Sequence, residues 1–120
     1  MKAQLRIRVD FEGGTILSPG KVRLFELVDE TGSIAKAASG IHMSYRRARQ
    51  VIEALEDLFG APLVEKTAGR PKGSQLTGLG RKVVDRYRAT ERHSALAARR
   101  LVRELARLAP DKRRRGARPG

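Results

Sequence analysis

Cysteine is absent from the 120 residues, which excludes disulfides, thiolate metal sites and cysteine nucleophiles. Histidine is scarce. His42 and His93 are the only two, they fall on different expected elements, and no acidic partner stands at metal-ligand spacing from either. No apolar run approaches the ~20 residues of a membrane-spanning helix. The N-terminal MKAQLRIRVD alternates polar with apolar residues instead of forming the apolar block of a signal peptide. The expectation is a soluble, cytoplasmic protein with no membrane partner. Carboxylates are also in short supply: 13 Asp and Glu face 26 Lys and Arg, a formal net charge of +13. Such an excess concerns partners, not fold, and points to a polyanion.

In LRIRVDF, the apolar Leu5, Ile7, Val9 and Phe11 alternate with Arg6, Arg8 and Asp10, the period of a strand with one buried face. Gly13 and Gly14 turn the chain into a short returning strand, so residues 1–17 read as an N-terminal β-hairpin. Ser18 followed by Pro19 is a helix start, and Val22, Leu24, Phe25, Leu27 and Val28 give that helix its apolar face before Gly32 stops it. Ser33 caps a short helix whose Ala37 and Ala38 permit close approach of another. Ser44 caps the next, which runs to Gly60 with Ala48, Val51, Ile52, Leu55, Leu58 and Phe59 inward.

That helix carries its charges against its dipole. Arg46, Arg47 and Arg49 crowd its first turns, whereas Glu53, Glu56 and Asp57 fill the later ones. A macrodipole prefers the reverse, by roughly 0.3–1 kcal/mol per charge. A solvated charged face is common, but it does not explain why the signs segregate.

Residues 62–77 read as a second hairpin with a basic tip, Lys66, Arg70 and Lys72. Thr77 then caps a long helix over residues 78–108. Along it Val83, Tyr87, Thr90, Ser94, Ala97, Leu101, Leu105 and Leu108 form a narrow seam like that of a coiled coil, weak in the middle. Residues 110–120 form a basic tail with nothing apolar to bury, and are expected to stay disordered.

Helix, tight turn, helix, then hairpin is the layout of a winged helix-turn-helix. The fold class expected is therefore mainly α with small β elements: residues 33–60 as the helix-turn-helix, 62–77 as the wing and 78–108 as a dimerisation helix. In that motif the second helix enters the DNA major groove with its N-terminal end leading. The arginines then stand where phosphates and guanine edges are met, and Gln50 suits adenine. Tyr45 lies between the apolar and basic faces, placed to anchor the helix by packing, to reach a phosphate with its hydroxyl, or both.

Several stretches, in order, resemble one family. GSI-x-x-AA, MSYRRA, PLVE and LTxLGR are similar to the N-terminal DNA-binding domain of ModE-type molybdate-responsive transcriptional regulators, and the LT-x-x-G ending is shared with LysR-type winged helices. The resemblance covers residues 5–109. It implies a dimeric repressor or activator that contacts double-stranded DNA through Ser44, Tyr45, Arg46 and Arg47, with a wing near residues 66–74. With the neighbouring residues, the candidate DNA-binding set is Ser33, Ser44, Tyr45, Arg46, Arg47, Arg49, Gln50, Lys66, Arg70 and Lys72. The dimerisation set is Val83, Tyr87, Leu101, Leu105 and Leu108. Two departures stand out. The family's turn glycine is replaced by His42, which either accepts a positive φ or marks a different turn. The chain also stops at Gly120, without the family's C-terminal oxyanion-binding β-domain, so no tight molybdate binding and no cofactor are expected.

Catalysis has no constellation to rest on. GLG at residues 78–80 invites a dinucleotide-loop reading, but the third glycine would be Val83 and no βαβ unit surrounds it. Gly80 is more simply a small residue in the first turn of a packed helix. A sequence-specific dimeric regulator is the leading expectation. A non-specific nucleoid-associated protein and a dimerisation module modulating a full-length molybdate regulator are the alternatives.

Overall fold

The computed structural model describes residues 1–68 and 73–110. Its elements run β1 (Val9–Asp10), β2 (Ile16–Leu17), α1 (Pro19–Thr31), α2 (Ile34–Gly40), α3 (Tyr45–Phe59), β3 (Val64–Lys66), β4 (Ser74–Leu76), α4 (Gly78–Ala97) and α5 (Arg99–Leu108). The chain divides into two units, Ile7–Arg88 and a second that joins residues 1–6 to those from Ala89 onward. Arg70, Lys72 and the basic tail from residue 111 lie outside the described residues.

In the first unit each expected cap is made. The hydroxyl oxygens of Ser18, Ser33 and Ser44 accept from the backbone N–H of Lys21, Lys36 and Arg47 at 3.5, 3.1 and 3.0 Å. Such caps contribute about 1 kcal/mol apiece. Gly32 and Gly60 close α1 and α3 in the left-handed conformation, φ 70° and 69°. Between α2 and α3, His42 takes φ 54°, so of the two readings open to it, it accepts a positive φ. The core is built from Val22, Leu24, Phe25 and Val28 of α1, Ala37 and Ala38 of α2, and Ala48, Val51, Ile52 and Leu55 of α3. The two alanines of α2 are completely covered, leaving room for the neighbouring helices.

β3 and β4 pair antiparallel, Val64 with Leu76 and Lys66 with Ser74, and form the wing. Leu63 and Leu76 tuck into the core beneath it. At the foot of the wing the Thr77 N–H donates to the Leu63 carbonyl at 3.0 Å, and the Thr77 hydroxyl oxygen accepts from Gly80 N–H at 3.0 Å. α4 starts so close to that strand that a Cβ on Gly80 would collide with the Leu63 carbonyl oxygen. Gly80 is the small packed residue its position suggested.

Several expectations need correction. The first strand is two residues long, and Val9 is exposed; its pairing with Leu17 ends after one further rung, too short to bury a face. Phe59 is not inward but lies at the surface, edge-on to the Phe11 ring at 6.1 Å. The long helix is interrupted at Ala98 (φ −91°, ψ 0°), within the stretch where Ser94 and Ala97 leave the seam without large apolar side chains. The inward face of α4 is Gly80, Val84 and Tyr87. Val83 packs only at the edge of the core. Tyr87 is buried in its own unit, its hydroxyl donating to the Ile7 carbonyl at 2.8 Å, because the close start of α4 turns that side chain toward the N-terminal segment.

In the second unit α5 is fully amphipathic. Leu101, Leu105 and Leu108 are 56, 51 and 80% exposed, and Leu96 at the end of α4 is 66% exposed. Among the described residues no helix is long and apolar enough to cross a membrane.

Candidate nucleic-acid interface

α3 buries one face and presents the other to solvent, as a period near 3.6 residues requires. Its buried stripe is Ala48, Val51, Ile52 and Leu55. Opposite it, Tyr45, Arg46, Arg47, Arg49 and Gln50 are all exposed. The first turn contains no carboxylate. Arg46 and Arg47 have no carboxylate partner among the described residues, so both guanidiniums are open to an external anion. Arg49 reaches Glu53 one turn on, at 3.4 Å, with both side chains substantially exposed. Such a pair contributes only a few tenths of a kcal/mol and is readily exchanged for a phosphate or base. Tyr45 is 54% exposed, so its side chain is only partly covered and remains accessible from solvent.

Beside this face stands the wing. Tyr45, Ser33, Ile34, Lys66 and Ser74 line one shallow groove. Arg49 lies with Tyr45, Lys66 and Ser74 along an adjoining groove. The exposed ammonium of Lys66 and the leading end of α3 therefore border one continuous surface. Ser33 lines this surface and Ser44 directly precedes Tyr45 in the chain; each hydroxyl oxygen already accepts a helix N–H but keeps its own hydrogen to donate.

A further cation, Lys21, was missed from sequence and stands near Arg47. In the first turn of α1, its ammonium donates to the Ile16 carbonyl at 2.9 Å. Burial holds its pKa below the usual lysine range, and the Arg47 guanidinium nearby lowers it further. Neither cation has a carboxylate partner among the described residues. The signal was present in SPGK: a cation in a first helical turn, against the dipole, as in α3.

The acidic end of α3 has a task that sequence reasoning also missed. Glu56 does not merely trail away from the arginines. Its Oε2 accepts from the backbone N–H groups of Leu63 at 2.8 Å and Val64 at 3.3 Å, where β3 begins. From α1, Asp29 accepts from the Leu76 N–H at 3.2 Å and from both terminal nitrogens of Arg81 at 2.7 and 3.1 Å. Each wing strand is thereby tied to a different helix.

Residues 20–81 match the bacterial regulatory helix-turn-helix protein family of lysR type. The chain belongs to that family. The chain is 38% identical over 102 residues to the molybdenum transport protein ModE of Azotobacter vinelandii, covering 83% of this chain and 38% of that protein. It is 26% identical over 91 residues to the transcriptional regulator ModE of Haemophilus influenzae, covering 74% of this chain and 36% of the relative. The chain thus spans well under half the length of these relatives. Among solved structures, the CbnR DBD–DNA complex superposes with a TM-score of 0.54 at 29% identity, over 74% of this chain and 95% of that one. The winged helix-turn-helix architecture and the ModE resemblance drawn from the motifs both hold for this LysR-type chain.

Proposed function

We propose that this chain binds double-stranded DNA sequence-specifically, as a homodimer, in a cytoplasmic transcriptional regulator of molybdenum-related genes, and that it is not an enzyme. The observation that carries the reading is the cationic leading end of α3, where Arg46 and Arg47 have no carboxylate partner among the described residues, beside a wing that brings Lys66 to the same surface. α3 enters the major groove, where Arg46 and Gln50 on its outward face meet base edges. Arg47, Lys21 and the wing meet phosphates. Arginine pairs with guanine O6 and N7, and glutamine with adenine N6 and N7. The adverse dipole interaction of the arginines, roughly 0.3–1 kcal/mol each, is smaller than the ~1–3 kcal/mol of discrimination from a good bidentate base contact. Local helix stability yields to recognition.

Dimerisation is supported by the exposed leucines of α5, which need apolar cover. Val83 lies at the core edge and Tyr87 inside it, so the proposed seam reduces to Leu101, Leu105 and Leu108. Two such chains would set their recognition helices ~34 Å apart on a near-palindromic site. The names of the ModE relatives support the molybdenum connection.

The test is a selection of bound duplexes from a random library, followed by binding of Arg46→Ala, Gln50→Ala and Lys66→Ala proteins to the selected and scrambled sequences. Arg46→Ala and Gln50→Ala are expected to lose discrimination, and Lys66→Ala to weaken both duplexes alike. Equal loss on both duplexes for Arg46→Ala would count against major-groove readout.

A further inference from the structure

The wing is a two-stranded hairpin with only three rungs of pairing, and a hairpin that short has little rigidity of its own. What fixes its direction must come from outside it. β4 is held from α1 by Asp29 and from the turn before α2 by the Gly32 carbonyl, which accepts from Ser74 N–H at 2.8 Å. β3, the strand that carries Lys66, receives its side-chain tie from the recognition helix itself. One oxygen of Glu56 takes both the Leu63 and Val64 N–H groups. These are charge-assisted bonds to a carboxylate, stronger than neutral ones. Lys66 follows Val64 by two residues, on the same face of the strand and ~6.6 Å along it.

We propose that Glu56 is a positioning residue for DNA recognition: it locks β3 to α3 and so fixes the reach of Lys66 relative to the base-reading arginines. Glu56 touches no DNA. It acts by making the major-groove and wing contacts simultaneous, so that binding at one site raises the effective concentration at the other. This rests on the DNA-facing reading of α3 and the wing. It also accounts for part of the segregated charge on α3, because the carboxylate is needed where β3 begins while the arginines are needed at the other end.

A coupling experiment separates positioning from mere stabilisation. Affinity is measured by fluorescence anisotropy on the tightest duplex recovered from a random library. Wild type, Glu56→Ala, Glu56→Gln and Glu56→Asp are each combined with Lys66→Ala and, separately, with Arg46→Ala. In wild type, Lys66→Ala is expected to weaken binding by about threefold or more, from loss of a phosphate contact. In Glu56→Ala that loss should shrink below about twofold, since the ammonium is no longer held in place. Glu56→Gln keeps an acceptor oxygen at the same reach and should restore the wild-type response. Glu56→Asp retains the charge but withdraws it by one methylene, and should behave like Glu56→Ala even if the alanine variant folds poorly. Arg46→Ala should cost the same in every background. An equal Lys66→Ala effect in wild type, Glu56→Ala and Glu56→Asp would overturn the inference. Failure of both Arg46→Ala and Lys66→Ala to alter binding in any background would instead overturn the DNA-facing reading, and the inference with it.

Discussion

Replacing Gly80 by alanine sets two effects against each other at one atom. A helix gains at most about 1 kcal/mol from the exchange, since glycine has the greater backbone freedom to lose. Against this, the new methyl would fall on the Leu63 carbonyl oxygen, 3.2 Å from the carbon that bears it and 3.3 Å from the Leu76 Cβ. That oxygen does not retreat freely, because it accepts the Thr77 N–H at 3.0 Å. Nor does the helix start move away without lengthening the bond from Gly80 N–H to the Thr77 hydroxyl. Overpacking costs about 1–3 kcal/mol, and loss of the cap about 1 kcal/mol more. The net expectation is destabilisation by about 1–3 kcal/mol, the steric and capping losses outweighing the propensity gain. For a domain of this size each kcal/mol lowers the thermal midpoint by about 4–8 °C. Gly78→Ala is the internal control: its Cβ would meet nothing within 4 Å, so it should change stability by less than about 0.5 kcal/mol. Urea and thermal unfolding followed by circular dichroism measure both. A Gly80→Ala midpoint equal to or above that of Gly78→Ala would refute the steric argument.

Acid stability depends on a pair in the first unit. Glu26 accepts from Arg88 at 3.1 and 2.8 Å, and that bond, with the nearby Arg23, holds its carboxyl below the usual range despite partial burial. A depressed carboxylate contributes stability above its unfolded pKa, near 4.5, and loses it as pH falls through the lower folded value. Glu26→Gln should therefore lose about 1–2 kcal/mol at neutral pH, with the difference from wild type closing below the unfolded pKa; a pH-independent difference in urea midpoints would count against this assignment. For the dimer, Leu101→Glu with Leu105→Glu should convert the protein to monomer in sedimentation equilibrium and weaken binding to a near-palindromic duplex by about tenfold or more. A wild-type protein already monomeric at micromolar concentration would remove the seam from the account.

Sequence alone determined whatever is decided within a turn or two of chain. The three serine caps, the glycine closures at Gly32 and Gly60, and the inward stripe of α3 are relations between residues three or four apart, set by helix geometry. The segregated charges on α3 were legible for the same reason, and with the motif order they pointed to a winged helix-turn-helix. Tertiary structure alone decided the partners of carboxylates that reach across the fold. Asp29 meets a backbone N–H 47 residues away, Glu26 an arginine 62 residues away, and Glu56 the first strand of the wing. No local period encodes those meetings, because they depend on which segments the packed core brings side by side. The same holds for α4, where Tyr87 sat on an acceptable seam by spacing yet turned inward. The start of that helix lies so close to Leu63 that a side chain at position 80 would collide with it, and only the assembled core reveals which face such a contact covers.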